Sequence, residues 1–150
     1  MKKRAIALVI PILLGIAIFL VMDQLKYTTY EEVIAEMIHD PKDITKVIIE
    51  NRRTKLEITS AELIRKLLKE PADMELKKQD KIPDFDYIVQ IHTNYGEVYD
   101  VGVGKNGAHF GYAGSYTVTN DNRLFHRIDH MEWEPDNYEL SAVFMRMPLS

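Results

Sequence analysis

A long apolar run near the N-terminus constrains this chain more than any other feature. Residues 5–22 read AIALVIPILLGIAIFLVM and follow the cationic start Lys2-Lys3-Arg4. A helix of this length rises roughly 27 Å, close to the hydrocarbon core of a bilayer, which is about 30 Å thick. We therefore predict that residues 5–22 form a transmembrane helix in contact with the lipid bilayer. Residues 1–24 would then be a cytoplasmic stub and membrane anchor.

The basic residues that flank this run predict the orientation of the chain. Lys2, Lys3 and Arg4 precede it, whereas Asp23 and Lys26 nearly cancel after it. Because basic flanks stay in the cytoplasm, we expect a single-pass protein of the cell membrane whose later residues are extracytoplasmic. Gly15-Ile16-Ala17 also matches a signal-peptidase site, so a chain secreted after signal cleavage is the alternative.

Composition narrows the classes of function. The net charge is −4, and without the three basic residues at the start the remainder is more acidic still, so we predict no nucleic-acid partner. The chain has no cysteine, which excludes disulfides, a thiol nucleophile and a lipid-modified cysteine. Residues 25–132 must therefore fold on a hydrophobic core, as one extracytoplasmic domain. Residues 133–150 form a tail that either adds an edge strand or stays disordered.

Hydrophobic periodicity and turn residues predict the elements of this domain. Capping boxes at Thr29/Glu32 and Thr59/Glu62 begin two helices, and a third covers about residues 121–131. Strands are predicted at 44–50, 54–58, 85–93, 97–103, 108–112 and 115–119, with a further short one at 74–78. The fold class is therefore α+β. After the transmembrane helix comes a two-layer sandwich of mostly antiparallel sheet with helices on one face.

The segment Gly102-Val103-Gly104-Lys105-Asn106-Gly107 matches the G-x-G-x-x-G pattern. A dinucleotide site needs a helix after this pattern, but the residues that follow Gly107 alternate like a strand. We therefore predict a hairpin turn whose glycines accept positive φ.

Two histidines, His126 and His130, stand at the i, i+4 spacing of zinc-binding helices. They lie opposite the apolar stripe of their predicted helix, and a third ligand would have to come from a distant residue such as His109. The favoured interpretation is that His126 and His130 are exposed to solvent and bind no metal. A metal-assisted hydrolase that uses His126, His130 and His109 is the enzymatic alternative.

Nucleophilic catalysis has little support in the sequence. Ser60 is predicted to cap a helix, and Ser115 lacks the glycines of a nucleophile elbow. We predict no catalytic residue and no cofactor. The protein is more simply interpreted as a non-enzyme.

Tyrosines offer a better indication of function. Tyr95 is predicted in a turn, and Tyr112 and Tyr116 flank a second turn, so we expect these three side chains to be exposed. Exposed tyrosines often mark binding surfaces, although tyrosine also fills sheet faces well. Arg52 and Arg53 in the first hairpin are a second candidate contact.

The arrangement of the chain resembles small, membrane-anchored exported proteins of Gram-positive bacteria, most of them uncharacterised. The resemblance covers the anchor together with segments 43–50, 87–91 and 96–101. It implies a location facing the cell wall and carries over no functional residue. We expect a tethered, non-enzymatic binding module of the cell envelope with a membrane or cell-wall protein as partner. An immunity or structural protein that acts through a sheet edge is a further alternative.

Overall fold

The computed structural model describes residues 2–131, with side chains from residue 10 onward. The predicted tail, 133–150, lies outside the described residues. The elements, in chain order, are α1 (Lys2–Gln24), β1 (Tyr27–Thr29), α2 (Tyr30–Met37), β2 (Ile44–Glu50), β3 (Lys55–Ile58), α3 (Ala61–Lys69), β4 (Glu75–Gln79), β5 (Tyr87–Thr93), β6 (Val98–Val103), β7 (Gly107–Phe110), β8 (Gly114–Val118) and α4 (Arg123–Met131). Short 3₁₀ turns occur at Pro41–Asp43 and Gly111–Ala113.

Within residues 2–131, eight strands form one sheet in the order β1-β4-β8-β7-β6-β5-β2-β3. Every neighbouring pair is antiparallel, which confirms the predicted α+β class and the predicted strand direction. One apolar core joins the inward side chains of the sheet to α2, α3 and α4. The opposite side of the sheet, here called the open face, carries no helix among these three.

The first helix of the domain shows how the local sequence builds this core. The Thr29 side chain accepts a hydrogen bond from the Glu32 amide, and the Glu32 carboxylate accepts one from the Thr29 amide, which confirms the capping box. The second predicted box is wrong, because Ser60 rather than Thr59 caps α3. The buried stripe of α2 consists of Tyr30, Val33, Ile34 and Met37.

The prediction for the N-terminal run requires a correction. The run does form a helix, α1, but no helix of the described chain is both long enough and apolar enough to cross a membrane. The predicted transmembrane helix and signal anchor are therefore wrong for the described residues.

A crossover on the open face connects β4 to β5 through residues 80–86. The two strands are separated by β8, β7 and β6, so the connection covers about 19 Å, while seven extended residues reach at most about 25 Å. The segment must therefore run nearly straight and close to the sheet.

Three glycines make this close approach possible. A Cβ atom on Gly102 would lie 2.8 Å from the Phe85 ring, one on Gly107 would lie 3.0 Å from the Pro83 side chain, and one on Gly104 would overlap the Asp84 carbonyl. None of these glycines has positive φ. The predicted hairpin is thus confirmed, but its glycines are needed for close packing and not for a left-handed backbone.

Candidate functional site

A concave surface of about 520 Å³ lies at the end of the sheet where β5 ends and β6 begins. Three segments that are distant in sequence meet there: residues 36–43, which join the end of α2 to the 3₁₀ turn, the β5–β6 turn with the start of β6, and the β7–β8 turn. We call this concavity the tyrosine pocket. Its lining consists of Glu36, Met37, Ile38, His39, Asp43, Thr93, Tyr95, Glu97, Tyr99 and Tyr112.

The β5–β6 turn presents Tyr95 at the rim. The Thr93 amide donates to the Glu97 carbonyl at 3.0 Å, and Gly96 adopts a φ of 81°, which favours glycine. The Asn94 amide donates to the Asp43 carbonyl at 2.8 Å and fixes the turn against the 3₁₀ segment. Tyr95 at the tip is 75% exposed, as its position in a turn predicted.

The β7–β8 turn places Tyr112 on the other side of the pocket. Gly111 and Gly114 have φ values of 46° and 111°, so the backbone turns sharply on both sides of Tyr112. The Tyr112 hydroxyl lies 3.4 Å from the carbonyl oxygens of Glu36 and Met37, at the end of α2. Its ring is 73% exposed, which confirms the predicted exposure.

Tyr99 forms the wall between these two turns. Its ring centroid is 6.4 Å from that of Tyr112, with 58° between the ring planes. Its hydroxyl donates to Glu97 Oε2 at 2.7 Å, and this bond to a carboxylate raises the pKa of Tyr99 to about 12. The phenol therefore stays protonated at physiological pH and remains a hydrogen-bond donor.

The third predicted tyrosine lies elsewhere. Tyr116 is only 4% exposed, so its predicted exposure is wrong. Its ring packs edge-on against Phe110 at 5.6 Å, its hydroxyl donates to the Ala113 carbonyl at 3.0 Å, and burial raises its pKa. The reason is strand alternation, which directs Tyr116 into the core together with Ala108 on the neighbouring strand.

Arg52 and Arg53 occupy the opposite end of the sheet from the tyrosine pocket. They lie in the exposed turn between β2 and β3, which the Asn51 side chain organises by accepting the Arg53 amide at 2.8 Å. Asp43 precedes β2 and Arg52 follows it, so the length of the strand, roughly 20 Å, separates them. The structure thus does not bring the predicted arginines and tyrosines together.

The three predicted metal ligands are not brought together either. His126 and His130 lie on the exposed side of α4, where the His130 ring is bonded to the His126 carbonyl at 2.7 Å. His109 belongs to β7, and its neighbours Ala108 and Phe110 face the core that α4 covers, so His109 lies on the other side of the sheet. In the described chain, no group of three or more His, Asp or Glu side chains is placed to hold a metal ion.

His109 has a different neighbour that sequence reasoning did not anticipate. Its Nδ1 atom lies 2.9 Å from the Ser115 hydroxyl, across the β7–β8 pair. A serine–histidine pair needs a third group that orients the imidazole, and no carboxylate bonded to His109 is found in residues 10–131. The contact is therefore explained as a cross-strand pair on the open face.

The sheet edges bear on the alternative of an immunity or structural protein. The edge strands are β1 and β3. The first has three residues, and the second alternates the exposed charges Lys55 and Glu57 with apolar side chains. Short strands and edge charges discourage pairing with another chain.

A second concavity, of about 530 Å³, separates α2 from α3. Its floor consists of apolar side chains that belong to the core stripes of the two helices, including Ile34, Ile64 and Leu68. Charged residues of both signs surround it, among them Glu31 and Arg65. This groove therefore lacks the single sign of charge and the aromatic walls that distinguish the tyrosine pocket.

Sequence reasoning missed most of the pocket. It identified Tyr95 and Tyr112 but not Tyr99, nor the three carboxylates Glu36, Asp43 and Glu97. Tyr95, Glu97 and Tyr99 follow one another at every second residue, but no local spacing connects them to Glu36, Asp43 or Tyr112. Comparisons of the chain with protein-family models, with curated proteins and with solved structures found no match.

Proposed function

We propose that this domain is a non-enzymatic binding module that recognises a ligand or a partner protein through the tyrosine pocket. The observation that carries the proposal is the exposure of Tyr95 and Tyr112, at 75% and 73%, in the lining of one concavity. Tyrosine has few rotamers to lose and a large ring to bury, so rings placed in this way favour recognition.

Hydrogen bonds within the chain also organise the pocket. Asn94 holds the β5–β6 turn against Asp43 through its amide, at 2.8 Å, and through its side chain, at 3.2 Å. Tyr112 contacts the last carbonyls of α2, and Tyr99 is bonded to Glu97. A pre-formed site loses less conformational entropy on binding, which favours affinity.

The lining favours binding over catalysis. The described residues that line the pocket include no serine, and the hydroxyl of their one threonine, Thr93, is engaged with the backbone of Glu97. An activated nucleophile needs an adjacent base, and the serine–histidine pair of this domain lies on the open face instead. The expected location in the cell envelope and the resemblance to exported Gram-positive proteins stay predictions.

The proposal is tested by two-dimensional NMR of the full chain against a library of small cationic, neutral and anionic compounds and short peptides. We expect saturable amide shifts at Tyr95, Tyr99 and Tyr112 for at least one class. A variant with Tyr95→Ala and Tyr112→Ala should lose them. The control, with Arg52→Ala and Arg53→Ala at the other end of the sheet, should keep them. If no library member gives saturable shifts at the pocket, the proposal is wrong.

A further inference from the structure

We infer that the tyrosine pocket takes a positively charged organic group, the ammonium or guanidinium of its ligand. This inference rests on the proposed function and adds the charge of the ligand to it. The described residues that line the pocket include three carboxylates, Glu36, Asp43 and Glu97, and one histidine, His39, but neither lysine nor arginine. Charges of one sign that line a concavity concentrate ligands of the opposite sign.

Two of the three carboxylates have neutral hydrogen-bond donors as partners. Asp43 accepts a hydrogen bond from the Asn94 side-chain amide at 3.2 Å, and Glu97 accepts one from the Tyr99 phenol at 2.7 Å. Neither donor is a cation, so both bonds orient the acid without neutralising it. A cationic ligand supplies the missing positive charge.

The C-terminal end of α2 adds to the negative electrostatic potential in the tyrosine pocket. Its last carbonyls point towards the pocket, where the Tyr112 hydroxyl contacts those of Glu36 and Met37 at 3.4 Å. Helix C-termini favour cations and are often followed by lysine or arginine, but the last turn of α2 contains no basic residue. These carbonyls, which the neutral Tyr112 hydroxyl contacts, therefore add to the negative potential of the pocket.

The aromatic walls suit an organic cation better than a bare metal ion. Tyr99 and Tyr112 stand 6.4 Å apart with tilted planes, and Tyr95 rises at the rim. The face of a tyrosine ring attracts ammonium and guanidinium groups within about 6 Å of its centroid. A hard metal ion would instead need several oxygen ligands around one point.

Isothermal titration of the full chain with matched probes tests this inference. The cationic probes are N-acetyl-lysine methylamide, N-acetyl-arginine methylamide and tetramethylammonium, and N-acetyl-norleucine methylamide is the neutral control. We expect at least one cationic probe to bind about tenfold more tightly than the norleucine control, and more weakly at high salt. A tighter lysine or arginine probe indicates a peptide side chain as the source of the cation, whereas tighter tetramethylammonium indicates a small amine.

Variants that replace pocket carboxylates by amides of the same size test whether the charge of the pocket, rather than its shape, determines binding. Glu36→Gln combined with Asp43→Asn should weaken the cationic probe about tenfold, whereas Glu57→Gln on β3, outside the pocket, should not change it. Equal binding of lysine and norleucine, or preference for an anion, overturns the inference but leaves the proposed function intact. Binding of calcium ions with no binding of any organic cation also overturns it. Absence of binding by every probe and library member overturns both.

Discussion

The crossover on the open face and the tyrosine pocket are built by opposite means on strands of the same sheet. At the crossover, Gly102, Gly104 and Gly107 remove side chains so that residues 83–85 can contact the sheet directly. At the pocket, three tyrosine rings line a concavity, and two of them are mostly exposed. The first arrangement maximises contact within the chain, and the second leaves surface available for another molecule.

This contrast indicates that stability and binding depend on different residues. Changes at the crossover should lower the free energy of unfolding and leave ligand binding at the pocket intact. Changes at the pocket should weaken ligand binding and leave the free energy of unfolding nearly unchanged. Because the two regions share no side chain, their effects should also be additive. Four substitutions can break or sharpen the comparison.

The largest expected effect is that of Gly104→Ala. The new Cβ atom would overlap the Asp84 carbonyl oxygen, which belongs to the backbone and cannot swing aside. We expect a loss of about 3 kcal/mol in the free energy of unfolding, measured by urea denaturation. Gly102→Ala should cost less, since its Cβ meets the Phe85 ring, which can move. An unchanged midpoint for Gly104→Ala would show that the crossover is not closely packed.

Asn122→Ala should have the next largest effect. The buried Asn122 amide donates to the carbonyls of Gly104 and Lys105 at 2.9 and 3.0 Å, and its oxygen accepts the Phe125 amide at 3.1 Å, as the cap of α4. Its removal leaves these groups without partners and should cost about 2 kcal/mol. Asn122→Ser keeps the cap and should restore part of this loss. A serine variant as unstable as the alanine variant would contradict the role of the cap.

At the pocket, Tyr112→Ala should change stability by less than about 0.5 kcal/mol, because the ring is mostly exposed. Binding of the cationic probe should nevertheless be lost, as measured by titration. Tyr112→Phe keeps the ring and should retain most of the affinity. A Tyr112→Ala variant that unfolds much more readily than the wild type would mean that this ring supports the fold, and the contrast between the two regions would fail.

The smallest effect concerns the Tyr99 phenol. Glu97→Gln removes the carboxylate that raises its pKa to about 12, so the pKa should fall towards the ordinary value of 10. Because the folded-state pKa is raised, the stabilisation from this hydrogen bond is complete below pH 10 and is lost as the pH rises through about 12. Absorbance of tyrosinate at alkaline pH, compared between Glu97→Gln and the wild type, measures the shift. Coincident titration curves would contradict the assigned hydrogen bond.

Much of the secondary structure was predictable because its signals are local. The strand Ile44–Glu50 was predicted with its observed bounds, and the capping box at Thr29 was confirmed. The predictions were wrong where contacts with residues far away in the sequence determine the structure. Phe85 falls within the predicted strand 85–93, yet β5 begins only at Tyr87, and Phe85 is exposed and lies over Gly102 on the open face. Strand β1 was not predicted, because three residues carry too little periodicity.

The candidate site was less predictable than the fold. Turn signals at Asn94-Tyr95-Gly96 and Ala113-Gly114 correctly indicated exposure of Tyr95 and Tyr112. The same turn signal failed for Tyr116, because its place in β8 directs the ring into the core. The carboxylates at positions 36, 43 and 97 carry no local signature, since acidic residues are common throughout this chain.

By itself, the sequence determined the α+β class, most helix and strand positions, and the turns that present Tyr95 and Tyr112, because capping, alternation and turn preferences act over a few residues. The order of the strands, the crossover that needs three glycines and the meeting of acids and tyrosines in one pocket were decided by the tertiary structure. These features depend on contacts between segments far apart in the chain, whose free energy is set by packing and by the sum of nearby charges.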